Sequence, residues 1–185
     1  MSYAPALEKA WKDISDLTKE KTLSAKLLSD TYDIDVEKKS VMSASCNVPA
    51  KDYTTIVLLH YLARKLAGQS LAEPSGEWID FNQLEGGEAY FPAFKKRTID
   101  RVIKKYGQSP DELLKVAGRM PAKAAKFGDV GVVIYPFEEI GILITMSKAD
   151  EEFGPDANIL FDHNIAKILC TEDIVVLTEI VVSQL

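Results

Sequence analysis

Apolar positions along this 185-residue chain recur at helical spacing in some stretches and alternate with polar ones in others, and the change of period marks out its elements. Leu7, Ala10, Trp11, Ile14 and Leu17 fall at i, i+3, i+4 and i+7, which predicts an amphipathic helix from about Ser2 to Lys19 anchored by Trp11. Thr22 is placed to cap a short second helix through Leu28, before Ser29-Asp30 breaks the pattern. Tyr32, Ile34 and Val36 then alternate with Asp33 and Asp35, and after Glu37-Lys38-Lys39 the alternation resumes from Val41 to Cys46, predicting a hairpin. Ile56, Leu59, Leu62, Ala63 and Leu66 share one face of a strong helix, with Asp52 as its cap, Gly68 at its end and His60 at the edge of the face.

Regular periodicity fails from Leu71 to Tyr90, where Pro74, Gly76, Gly86 and Gly87 punctuate the chain and only Trp78 to Phe81 reads as a strand. Helix is expected from Phe91 to Tyr106, with Pro92 in its first turn and Gly107 as the C-cap. Ser109-Pro110-Asp111-Glu112 has the form of a capping box opening a helix that runs to about Gly118. Val130 to Tyr135 and Ile140 to Met146 are nearly continuous apolar runs, predicting a deeply buried hairpin, and Asn158 to Phe161 is a further strand. Thr171, followed by Glu172 and Asp173, starts a C-terminal helix despite the β-branched run from Ile174 to Val182.

Hairpins rather than strand-helix alternation favour an α+β fold. The expected form is a mostly antiparallel sheet built from 31–46, 130–146 and 158–161, with helices packed mainly on one face. The length suits a single domain over 1–185, and the absence of repeats or a linker agrees. Hydrophobic residues at 46% and charged residues at 27% are ordinary for a chain that folds unaided.

Charge narrows the partners. Twenty-two Lys and Arg against 28 Asp and Glu leave a formal charge of -6, which repels nucleic acid and anionic membrane over long range. The first residues lack the basic stretch and apolar run of a signal peptide, and no run reaches the roughly 18 apolar residues a spanning helix needs, so a soluble cytoplasmic protein is expected. Cys46 and Cys170, the only cysteines, lack CxxC spacing and are read as small buried hydrophobes, and no metal site is expected.

No GxSxG elbow, GxxxxGK[ST] loop, GxGxxG turn or HExxH helix is present. His60 and His163 are too few and too far apart in sequence for most imidazole metal sites. Asp162-His163 follows a strand, but neighbours on extended chain point to opposite faces, which argues against a simple dyad. Asp150, Glu151, Glu152 and Asp156 lack the calcium-loop pattern and read as a solvated turn.

The segment from Gly76 to Pro92 is the best place for a site. It carries Glu77, Trp78, Gly86, Gly87, Tyr90 and Phe91 and feeds a helix with Lys95, Lys96, Arg97, Arg101, Lys104 and Lys105. Free N–H groups at that helix start would attract an anion, although Glu85 and Glu88 oppose it and the cations suit a solvated helix face.

Leu58-Leu59-His60-Tyr61-Leu62, Gly76 to Phe81, Gly86-Gly87 and Tyr90 to Arg97 also carry a resemblance, joined in order by Gly128 to Val133, Ile159 to Asp162 and Thr171-Glu172-Asp173. Over nearly its whole length the chain resembles the bacterial and archaeal family called domain of unknown function 3786. That family has no established activity. The resemblance implies a setting in anaerobic corrinoid-linked one-carbon metabolism, where some relatives add a cysteine-rich iron-sulfur segment. Two cysteines cannot hold a four-cysteine cluster, so the resemblance implies an accessory or partner role here.

Two functional expectations follow, with a purely structural subunit, which a large exposed apolar patch would support, as a third. The first is a non-catalytic domain binding a small molecule or protein partner through Trp78, Tyr90 and Phe91 beside the glycines. The alternative is an enzyme on a small anionic substrate held by Lys95, Lys96 or Arg97, with His60, Glu77 or Asp162 moving protons and His163 in reserve. The sequence names no cofactor.

Overall fold

The computed structural model describes residues 3–68, 71 and 73–185. The expected helix start at Ser2 and the Ala72 position of the irregular stretch lie outside these residues. The chain divides into two compact units, 1–71 and 72–185.

In the first unit, helix α1 (Ala4–Leu17) buries Ala10, Trp11 and Ile14 and packs on helix α2 (Asp52–Leu66). Between them runs an antiparallel meander of β1 (Thr22–Leu27), β2 (Asp30–Asp35) and β3 (Ser40–Ser43). The helix expected from Thr22 to Leu28 is therefore a strand. Ala25 and Leu27 are buried while Thr22, Ser24 and Lys26 are exposed, a period of two. So short a helix gains little from its own hydrogen bonds, whereas β2 offers a full ladder ending at the Leu27–Asp30 pair. A two-residue turn with Leu28 at φ 54° closes the hairpin. Asp52 sits in the first turn of α2 rather than capping it, because Lys51 occupies the cap position.

The second unit holds a five-stranded antiparallel sheet in the order β4 (Trp78–Asp80), β8 (Asp156–Asp162), β7 (Ile140–Ser147), β6 (Val130–Phe137), β5 (Ala122–Ala125). The two hairpins expected to share a sheet thus belong to different sheets, while the α+β class and antiparallel pairing hold. Successive residues of β6 and β7 are buried, as their unbroken apolar runs require. The short edge strand β5 was not foreseen, since Ala-Lys-Ala-Ala carries little strand signal.

A 3-10 turn at Phe81–Gln83, closed by a capping box of Asp80 and Gln83, leads to α3 (Gly87–Arg97) and α4 (Ile99–Tyr106). The single helix expected from Phe91 is thus two helices, and it begins four residues earlier. Pro92 lies inside α3, not in its first turn. The chain breaks at buried Thr98, whose hydroxyl donates to the Phe94 carbonyl at 2.7 Å. Phe81 stacks on Phe94 with ring centroids 4.0 Å apart, and Phe161 of β8 closes the cluster.

Helix α5 (Asp111–Ala117) opens without the expected box. Pro110 takes the cap position, the Glu112 amide donates to the Ser109 carbonyl, and the Glu112 side chain pairs with Lys115. Gly107 is right-handed and serves close packing, because a Cβ there would lie 2.9 Å from Cγ of Pro155. After β8 come a single turn, α6 (Ile165–Ile168), and α7 (Thr171–Gln184), which begins where expected. Helix α4 packs on β8, and α5 and α7 pack on β6.

Candidate functional site

The Gly76–Pro92 segment is tied to the end of β8 by one carboxylate. Asp162 is buried and accepts hydrogen bonds from the Gly76 amide at 2.9 Å, the Asn164 amide at 2.9 Å and the Ser75 hydroxyl at 3.0 Å. Burial alone would push its carboxyl up, but these donors, together with the Ser75 amide, hold it below the usual carboxylate range. The exposed His163 donates its amide to the Glu77 carbonyl at 2.9 Å, and Asn164 Nδ2 donates to the Glu73 carbonyl at 2.8 Å. The structure therefore brings Glu77, Asp162 and His163 together, through backbone and carboxylate rather than through an Asp-His side-chain pair. His60 belongs to the first unit, half-buried on α2.

Gly86 serves the backbone by its conformation and Gly87 by close packing. Gly86 is left-handed at φ 71°, the region where glycine carries no Cβ penalty. At Gly87 a Cβ would sit 2.0 Å from the Phe81 carbonyl oxygen, so α3 seats directly on the 3-10 turn. The Gly87 amide donates to the Leu84 carbonyl at 2.9 Å, so it is not aimed at an incoming anion. Lys95 pairs with Asp100 at 2.7 Å, and Arg97 with Glu179 of α7 at 3.3 Å, while Lys96 is exposed.

Tyr90 is 52% exposed, and Phe91 is half-buried beside Phe81 and Phe94. Trp78 is half-buried, and its ring lies over Gly141 of β7. A Cβ at Gly141 would meet Trp78 Cη2 at 3.3 Å, Val133 Cγ1 at 3.4 Å and Tyr135 Cε1 at 3.7 Å. Indole and phenol thus converge across the sheet over Gly141, whose missing side chain makes room for them, and Lys123 of β5 lies 5.4 Å above the Tyr135 ring. Tyr135 and Gly141 were not singled out from sequence. A glycine early in an otherwise apolar strand is the one signal that could have pointed to them.

Both cysteines are exposed, which corrects the reading of them as buried hydrophobes. Cys170 stands at the N-cap position of α7, and its sulfur donates to Asp173 at 3.1 Å. Shielding of the sulfur, with the Asp173 charge beside it, pushes the thiol up to about 11. Asp150 accepts from the amides of Glu152 and Phe153, so the acidic loop is an internally bonded turn. Among the described residues no group of three or more His, Cys, Asp or Glu is arranged to hold a metal ion, and no helix is long and apolar enough to cross a membrane.

Fold and site together define an α+β protein whose glycines and buried carboxylate shape a loop and whose aromatic side chains remain partly open. Residues 12–184 match the family described as Domain of unknown function (DUF3786), and the chain belongs to that family. No curated protein and no solved structure matches it.

Proposed function

We propose that this protein is a non-catalytic binding or accessory domain, and that the half-buried Trp78 with Tyr135 carries the contact with its small-molecule or protein partner. The observation that supports this reading is the convergence of the two rings over Gly141. Rigid aromatic side chains with an open edge supply contact area at low entropic cost, and Lys123 adds a cation beside them. Three of the groups that an enzyme on an anionic substrate would draw on are otherwise committed. Asp162 is ionised at neutral pH with its oxygens bonded to loop amides, while Lys95 and Arg97 each face a carboxylate.

The test is a thermal-shift and tryptophan-fluorescence titration against a cofactor panel that includes corrinoids, run on the wild type and on Trp78→Ala. A ligand at about a hundred times its dissociation constant stabilises the native state by roughly 2.7 kcal/mol, a readily visible rise in Tm. The expected result is a saturable rise that Trp78→Ala abolishes. Since Trp11 is buried in α1, a fluorescence change would report Trp78. A ligand that stabilises both proteins equally, or any turnover of a panel member, would overturn the reading.

A further inference from the structure

A second surface of the 72–185 unit, apart from the aromatic pair, carries opposite charges side by side. The outer face of α4 presents Arg101 and Lys104, with Lys105 bonded through its Nζ to the Leu185 carbonyl at 2.6 Å, while Ile99, Val102 and Tyr106 point inward. The Lys95–Asp100 bridge draws the end of α3 alongside this face. Next to it stands the loop between β7 and β8, with Asp150, Glu151 and Glu152 exposed and Phe153 69% exposed, the most open large hydrophobic among the described residues. Two contacts hold the loop to the end of α4 and the start of α5. Pro155 packs against Gly107 directly after the helix, and Lys148 bridges to Asp111 at 3.1 Å. Between loop and helix end lies an open groove of about 470 Å³ lined by residues 107–112 with Lys148 and Ala149.

The loop keeps its shape unaided. The Asp150 carboxylate takes the Glu152 and Phe153 amides at 2.8 and 2.7 Å, and the Asp150 amide donates to the Phe153 carbonyl at 2.9 Å. A preformed loop loses little entropy when it docks. A surface with an acidic half and a basic half is complementary to itself under a two-fold rotation, because in such an interface residue i meets j and j meets i. We propose that this face is a docking surface for a second copy of the chain, each acidic loop lying on the α4 cations of the other and each Phe153 entering the other's groove. Local charge complementarity lets two copies that each carry a formal charge of -6 associate through oppositely charged patches, with the strength falling as salt rises.

Sedimentation velocity on the full chain tests this. The wild type is expected to sediment at twice its 20.5 kDa at low salt, and its dimer dissociation constant to rise at least about tenfold between about 0.02 and 0.5 M salt. Arg101→Glu with Lys104→Glu, and separately Glu151→Lys with Glu152→Lys, should each give a monomer. An equimolar mixture of these two variants should recover a heterodimer, since both contacts are then attractive. The substituted side chains are exposed, and unchanged melting curves would confirm native folding. A wild type that stays monomeric up to about 0.1 mM at low salt would overturn the proposal. So would a dimer indifferent to either reversal, or variants whose mixture does not reassociate.

Discussion

At Gly87 the space for a side chain is taken by the Phe81 carbonyl oxygen, 2.0 Å from where a Cβ would stand. Gly87→Ala should therefore destabilise the protein by roughly 1–3 kcal/mol or more in denaturant unfolding, through backbone displacement. Gly86→Ala should cost about 1–2 kcal/mol for its left-handed φ alone. Asp162 acts at the same scale, and Asp162→Asn, which keeps the shape but weakens the accepted bonds, should cost about 1–3 kcal/mol. Its native pKa lies below the unfolded value of about 3.9, so as the medium is acidified the unfolded chain takes up the proton first. Its contribution is complete above that value and is lost as pH falls through the native pKa. The wild type's acid-induced loss of stability should accordingly be shallower in Asp162→Asn. Cys170 has the opposite sign, since its pKa is raised to about 11. The stability linked to it is present below about pH 8.5, the free thiol value, and is lost as pH rises through the native value. At pH 8 its alkylation in the native protein should be at least about tenfold slower than that of free cysteine, read by mass spectrometry.

Among the elements, those written in a continuous local pattern were legible. The 130–146 hairpin reads directly from its apolar runs, and the start of α7 from Thr171 with its two following acids. The fate of Thr22–Leu27 was not legible, because β2 decides it, and Leu23, Ala25 and Leu27 fit a pleat only when that partner is present. The long helix expected after Phe91 fails at Thr98, whose φ of -126° and ψ of -73° leave the helical region while its hydroxyl bonds the Phe94 carbonyl, and helix resumes at Ile99. Pro92 is the related cost within α3, since a proline past the first turn removes a helix hydrogen bond. Replacing exposed Pro92 by Ala should raise stability by about 1 kcal/mol, seen as a Tm increase with no change in the far-ultraviolet circular dichroism.

Over the whole molecule, the stretch from Gly76 to Pro92 was found from sequence because its periodicity fails, but what its residues do rests on distant partners. The Asp162–Gly76 bond spans 86 residues and the Arg97–Glu179 pair 82, separations no local pattern reports. A glycine pair before a basic helix reads as an anion cradle until the Leu84 and Phe81 carbonyls are seen to occupy it. The most direct test is a titration of the ¹⁵N-labelled protein with inorganic phosphate at constant ionic strength, following the amides of residues 86–97. No saturable shift is predicted up to about 20 mM, since the Gly87 amide, Lys95 and Arg97 already have partners. A saturating shift centred on Gly87 and Lys95–Arg97, with a dissociation constant below about 1 mM, would contradict it and return the segment to an anion site.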